Sequence, residues 1–395
     1  MTATATPAHL RAAAISTFLV FGTNGLVFAS WAARIPAVTE TLNLTPGQMG
    51  ALLFCIAGGS IVGLPAAGFI ASRIGTAHTV RLAGVISALA AVGVAVSLLA
   101  VSVPGTAVSL FFFGVGIGLW DVAQNIEGAD VEQKLGRTIM PQLHAAFSGG
   151  ALVGALVGAG LSTIGVGLPA HLLAIALLVA IAMILLPRHF LARVPEAQPA
   201  PDDAPRPKTR SAWTDRRTLL IGVVVLGATV TEGSGNDWIA KAAVDGLDLS
   251  ESNGALIFAV FILAMTIMRF LGGRAIDVFG RVPVLRGSMV AAAMGLTLFV
   301  FAPTLWIALP GVALWGIGAA LAFPIGMSAA ADDPQHAAAR VAVVSTLGYI
   351  AFLVGPPLLG FLGDINGIRV ALLAIIIPVI GALLLSGAAK PLPKK

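Results

Sequence analysis

The chain has 395 residues, 57% of them hydrophobic and 10% charged, with a formal net charge of +5. A soluble globular fold of this length does not need so much apolar surface, and the mean hydropathy of +0.96 says the same. A pI near 9.9 does not signal nucleic acid here, because most Lys and Arg fall in short segments between apolar runs.

Apolar runs of about 20 residues recur along the chain, the length at which a helix crosses a bilayer. They lack the strict alternation of spanning strands. The fold class is therefore an all-α membrane protein. Twelve spans are predicted at 11–34, 47–72, 80–102, 104–129, 140–164, 168–187, 218–240, 251–273, 283–302, 304–328, 340–362 and 367–388. The leader MTATATPAHLR is polar, and no small-residue cleavage site follows a brief apolar core, so the first run reads as a retained helix. One cysteine, Cys55, leaves no internal disulfide and reads as a packing residue.

Span 1 carries Asn24 and Trp31 on one face, fit for solute contact or for packing and interfacial anchoring. Span 4 ends in GLWDVAQNIEGADVEQ (118–133), which brings four acids to a nearly uncharged region. Asp121 lies past the middle of the span, and Asn125 shares its face at i+4, as do Gly114 and Gly118. The glycines leave room for a solute or a close helix. Glu127 is about 240° round the helix, nearer the end, and suits structural pairing with a basic loop residue such as Arg73. Asp130 and Glu132 read as solvated beside Lys134 and Arg137. In span 5, His144 and Ser148 share a face, and Gly150, Gly154 and Gly158 form a small-residue stripe suited to close helix packing.

The segment 188–217 is rich in proline and mixed charge and reads as an extended linker. It separates a six-helix bundle at 1–187 from a second at 218–395. In span 7, Glu232 sits near mid-membrane with Asn236 on its face. Asp237 lies farther out and can pair with Lys241 or Arg34. Arg269 near the end of span 8 can snorkel. Tyr349, the only tyrosine, lies in span 11 beside a Gly-rich stretch and can bond a solute or fill a groove.

The halves echo each other. SWAAR (30–34) matches DWIAK (237–241), LNLT (42–45) matches LDLS (247–250), GALLF (50–54) matches GALIF (254–258), and GIG recurs at 116 and 316. A parallel repeat of two six-helix halves is a transporter plan. Aligning the GIG copies sets Leu321 opposite Asp121 and Ile325 opposite Asn125, so the second copy reads as the same helix doing packing alone.

Between spans 2 and 3 the chain reads GFIASRIGTAHTVR (68–81), and between spans 8 and 9 it reads GGRAIDVFGRVPVLR (272–286). The glycines Gly68 and Gly75 repeat at the same spacing as Gly273 and Gly280. Arg73 follows Gly68 in the first copy, and the second adds Asp277 and Arg281. This resembles the loop motif of the major facilitator superfamily, which implies a secondary transporter working by alternating access, with the loop acting in gating. Residues 36–52 and WDVAQN (120–125) resemble fucose permease-like proton symporters. TEGSGNDW (231–238) resembles bacterial inner-membrane proteins of the YbjJ type. The symporters' span-1 acid falls at Ala29 here.

The match of WDVAQN to the symporters' span 4 implies proton coupling through Asp121, with Asn125 beside it for solute, and the mid-membrane depth of Glu232 makes it the second coupling candidate. Asn24, Trp31, His144, Asn236 and Tyr349, polar or amphipathic groups within the spans, are the further candidates for contact with a small polar, sugar-like solute. A proton-driven drug or metabolite exporter is the alternative. An enzyme or receptor fits less well, because the chain has no His-Glu-x-x-His, paired-Asp, clustered-Cys or phosphate-loop motif. No metal, cofactor or nucleic-acid partner is expected. The expected partners are solute, protons and lipid, and the expected state is a monomer in the bacterial inner membrane.

Lys/Arg asymmetry puts 188–217 and both termini in the cytoplasm. Reporter fusions after residue 200 and at Lys395 should read cytoplasmic and one at Asn43 external. A cytoplasmic signal at Asn43 would overturn the twelve-span count.

Overall fold

The computed structural model describes residues 7–136, 139–191, 212–333 and 336–392. Regular structure among them is helical throughout. Twelve helices are long and apolar enough to cross a membrane: α1 Ala8–Thr41, α2 Pro46–Ile74, α3 Thr76–Leu99, α4 Val103–Leu135, α5 Met140–Thr163 and α6 Leu168–His189 come first. They are followed by α7 Arg216–Leu247, α8 Glu251–Phe279, α9 Arg281–Phe301, α10 Leu305–Ala330, α11 Ala337–Asn366 and α12 Ile368–Ala389. The chain divides into two compact units, Met1–Leu44 with Ala51–Ala200 and Thr45–Gly50 with Pro201–Lys395. Most of the expected linker, 192–211, lies outside the described residues, as does Arg137.

Each expected span matches one of these helices to within a few residues at either end, and several helices run farther, α1 to Thr41, α4 to Leu135 and α7 to Leu247. α1 pauses at a turn over Ala33 and Arg34 and resumes as Ile35–Thr41, where Pro36 fits a first helical turn. α4 starts on a Ser102 cap that accepts the Gly105 N–H, and it stops at Gly136 in the left-handed region (φ 64°). It therefore carries Asp130 and Glu132 on the helix, past the expected end of the span at 129.

The sequence repeat is a repeat of local geometry. Asn43 (φ 49°) and Asp248 (φ 53°) take the left-handed conformation at the same place in LNLT and LDLS, which short polar side chains tolerate. Two residues on, the hydroxyls of Thr45 and Ser250 accept the N–H groups of Gln48 and Asn253, each at 3.3 Å. Gly75 (φ 81°, ψ 160°) and Gly280 (φ 81°, ψ 163°) share one conformation before α3 and α9, and it is open essentially to glycine alone. Gly68 and Gly273 are different. No described atom lies within 4 Å of where a side chain would begin at either, so close helix approach does not explain the first glycine of each motif.

Helix pairing repeats as well. In the first unit α1 packs on α5, α3 on α4 and α3 on α6; in the second α7 packs on α11, α9 on α10 and α9 on α12. The stripe on α5 meets α1: a side chain at Gly150 would run into the Gly22 carbonyl, and one at Gly154 into that of Leu26. Gly114 and Gly118 of α4 meet the α2 backbone at Ile56 and Ser60, so that stripe serves helix packing, not a solute. Buried apolar residues fill the rest, including Trp120 in the first unit and Trp238 and Trp315 in the second.

Adjacent glycines on α5 supply a test. Gly149 borders open space, while the obstacle at Gly150 is backbone that cannot rotate away. Gly150→Ala should lower the apparent melting temperature in detergent, at an overpacking cost of about 1–3 kcal/mol. Gly149→Ala should leave it unchanged or slightly higher. Equal effects at the two positions would refute the close α1–α5 approach.

Candidate functional site

Asp121 is half-buried in α4. Its carboxylate is held by side-chain amides of its own helix: Asn125 Nδ2 donates to Asp121 Oδ1 at 3.3 Å and to the Asp121 carbonyl at 2.7 Å, and Gln124 Nε2 donates to Oδ1 at 3.4 Å. No cation pairs with it among the described residues. The structure thus joins the two residues matched by i+4 spacing and adds Gln124. The i, i+3 spacing was the available signal. Gln124 is fully buried, and its Oε1 has no partner among the described residues.

Asn24, 1% exposed, also has both amide atoms unpartnered. Phe21 lies 3.8 Å from where a side chain at Gly128 would begin. Asn24, one turn on from Phe21 in α1, is therefore level with Gln124, one turn back from Gly128 in α4. His171 of α6, also enclosed and with both ring nitrogens unpartnered, went unnoticed in the sequence.

Glu127 has a different task. It is 1% exposed; Thr76 Oγ1 donates to its Oε2 at 2.6 Å and the Leu191 N–H to its Oε1 at 2.7 Å. It is structural, as the sequence suggested, but the partner is not Arg73, which is exposed and lies over the Phe69 ring at 4.7 Å. Glu132 is not merely solvated: one carboxylate oxygen accepts the N–H groups of Ile139 and Met140 at 2.6 and 2.8 Å, capping α5.

In the second unit Glu232 pairs with Arg269, Oε1 to NH2, at 2.8 Å, with side chains 18% and 33% exposed. Arg269 does not snorkel. Its Nε also donates to the Ala320 carbonyl at 3.4 Å. That carbonyl is free because α10 breaks at Ala320 and Leu321. Pro324 has no N–H to offer four residues back, and its ring crowds the same carbonyl. The second copy of the GIG helix is therefore not the packing-only version of the first; it is a proline break satisfied by an arginine. An unpaired charge at the centre of a spanning helix costs about 2.5–3.5 kcal/mol on insertion scales, and the pair offsets this for both residues.

Asn236 has a buried, unpartnered Oδ1 one turn from Glu232. Asp237 does not pair with Lys241, which bonds Asp245 at 2.6 Å, and Arg34 donates to the Val166 carbonyl of its own unit at 3.1 Å. Trp31 is buried at 3% exposure. His144 is exposed, with its ring edge-on to Phe21 at 5.4 Å. Tyr349 is 44% exposed.

At the motif loop, Arg281 and Arg217 grip the two oxygens of Asp332 at 2.6 and 2.8 Å, and Arg281 also bonds Ser328. Asp277 is exposed. Nearby Asp215 caps α7 through Thr218 and faces Arg340 at 3.6 Å. Partial burial pushes its carboxyl up, but the Thr218 hydrogen bonds and the cations Arg340 and Arg217 outweigh this and hold it below the usual 3.8. Among the described residues no group of His, Cys, Asp and Glu is arranged to hold a metal.

The sequence profile of the Major Facilitator Superfamily matches residues 238–395. An uncharacterized MFS-type transporter of Yersinia pestis is 30% identical over 358 residues, covering 90% of this chain and 90% of that protein. Among solved structures, the nucleoside transporter NupG superposes with a TM-score of 0.74 at 15% identity, over 95% of this chain and 98% of its own. FucP in its outward conformation gives 0.63 at 15% identity, over 96% and 100%. The whole-length relative, the twelve helices and the doubled loop motif agree: the chain belongs to the Major Facilitator Superfamily of membrane transporters, and it is not an enzyme.

Proposed function

We propose that this transporter moves a small polar solute by alternating access, coupled to protons through Asp121. The observation that carries the reading is the contrast among acids inside the spanning helices. Glu127 is consumed by two short hydrogen bonds and Glu232 by Arg269, whereas Asp121, nearer the middle of its helix than the likewise uncommitted Asp237, has only two long amide contacts and no cation among the described residues. An embedded carboxylate so weakly committed is suited to take up and release a proton. Asn125, Asn236 and Tyr349 offer hydrogen bonds to a hydroxylated solute, with Trp31 and His144 as further contacts. Asn24, buried with both amide atoms unpartnered among the described residues, is the remaining contact. Glu232 acts second, its proton exchange tied to release of Arg269. The motif residues Arg73, Asp277 and Arg281 bias the conformational balance.

NupG is described as a nucleoside transporter and FucP as a fucose:proton symporter; both solutes are polar, and the second is proton-coupled. The protein works as a monomer in the bacterial inner membrane, with its two bundles at 1–187 and 218–395 and both termini in the cytoplasm. Export of an apolar drug is the weaker reading, because the embedded groups offer hydrogen bonds.

Asp121→Asn mimics the protonated form. In proteoliposomes with an imposed pH gradient it should abolish accumulation of the solute while keeping exchange without a gradient. Solute found by thermal-shift screening should still stabilise the variant. Full gradient-driven accumulation by Asp121→Asn would rule Asp121 out as the coupling site.

A further inference from the structure

The first unit holds a groove that takes no part in solute transport as read above. It lies where α3 begins and α6 ends and has a volume of about 340 Å³. Thr76 on one wall and Leu191 on the other are the two partners of Glu127. The buried acid thus braces both walls, and the groove is a built feature of the unit.

Arg81 and Arg188 line it, and neither guanidinium has a hydrogen bond or ion pair among the described residues. Arg81 is half-buried and Arg188 exposed. His78 adds a titratable ring whose Nδ1 meets the Ile74 carbonyl at 3.0 Å. No acid lines the groove, and Glu127 buried behind it has both oxygens engaged. The remaining lining is apolar and includes Ile74 and Phe190. Beside the groove, Leu185 and Ile184 of α6 and Phe69 of α2 are 47%, 55% and 62% exposed.

Two cations without a partner among the described residues, in a groove otherwise lined by apolar side chains and adjoining the exposed apolar end of α6, match an amphiphile whose anionic head sits at the end of a hydrocarbon chain. A free phosphate ion would use the cations and leave the apolar face unused. We propose that this groove binds the phosphodiester head of an anionic phospholipid, with Arg81 and Arg188 on the phosphate oxygens and an acyl chain along Ile74 and Leu185. Arginine's planar fork suits phosphate oxygens, and a basic pocket between spanning helices is a recognised kind of headgroup site.

The test uses the full chain purified in detergent, with lipid adducts counted by native mass spectrometry. Phosphatidylglycerol should bind in preference to phosphatidylcholine. Arg81→Gln with Arg188→Gln should weaken phosphatidylglycerol binding about 25-fold, from about 1 kcal/mol per cation at tenfold per 1.4 kcal/mol. Arg11→Gln with Lys134→Gln, which removes the same charge elsewhere, should change it less than about threefold. Arg81→Lys with Arg188→Lys should keep most of the preference, which separates lost charge from lost folding. Inorganic phosphate should raise the melting temperature far less than phosphatidylglycerol; an equal rise would overturn the lipid as the source. Undiminished phosphatidylglycerol binding by the double Gln variant, or no preference over phosphatidylcholine, would overturn the site.

Discussion

A bilayer supplies no water to hydrogen-bond a stray carbonyl or to solvate a stray charge, so each such group in a spanning helix must find its partner inside the protein. In the second unit this constraint links four residues. Pro324 breaks α10 and frees the Ala320 carbonyl, Arg269 takes that carbonyl, and Glu232 balances Arg269. Remove the proline and the arginine loses an acceptor; remove the glutamate and an arginine is left without its counter-ion. The same constraint makes Asp121 conspicuous, because its amide contacts reduce the cost of its charge without cancelling it.

The two halves solve one mechanical problem with different chemistry. Each has a left-handed glycine, Gly75 or Gly280, followed by a residue that reaches an acid at or just beyond the far end of a neighbouring helix. In the first half Thr76 donates to buried Glu127, and in the second Arg281 pairs with Asp332. A hydroxyl suits the enclosed site, where an arginine would need a cavity and more acceptors. An arginine suits the partly exposed site, where Arg217 shares the same carboxylate. The loop motif is thus in part a device for fastening helices within each half.

At the other end of the second unit Arg369 has a similar fastening role. It donates to the carbonyls of Gly246, Phe299 and Ala302 and lies over the Phe299 ring. Its guanidinium serves several chain segments at once, which a lysine's point charge cannot do with equal geometry.

Twelve apolar runs, the doubled LNLT and GIG segments and the spaced glycines were legible in the sequence, because span length, helix caps and positive-φ turns are local properties written over a few residues. The Asp121–Asn125 pair was legible for the same reason, as i+4 geometry is fixed within one helix. The partners of Glu127, Glu132 and Arg269 were not. Thr76, Leu191 and the Ala320 carbonyl are neutral groups far off in the chain, or brought into play by a proline break, and nothing in the charge pattern points to them. What the sequence by itself determined is the membrane class, the repeat and the superfamily. Which acids are spent on structural hydrogen bonds and ion pairs was decided only by the tertiary structure, since that depends on whether packing brings a side chain its partner.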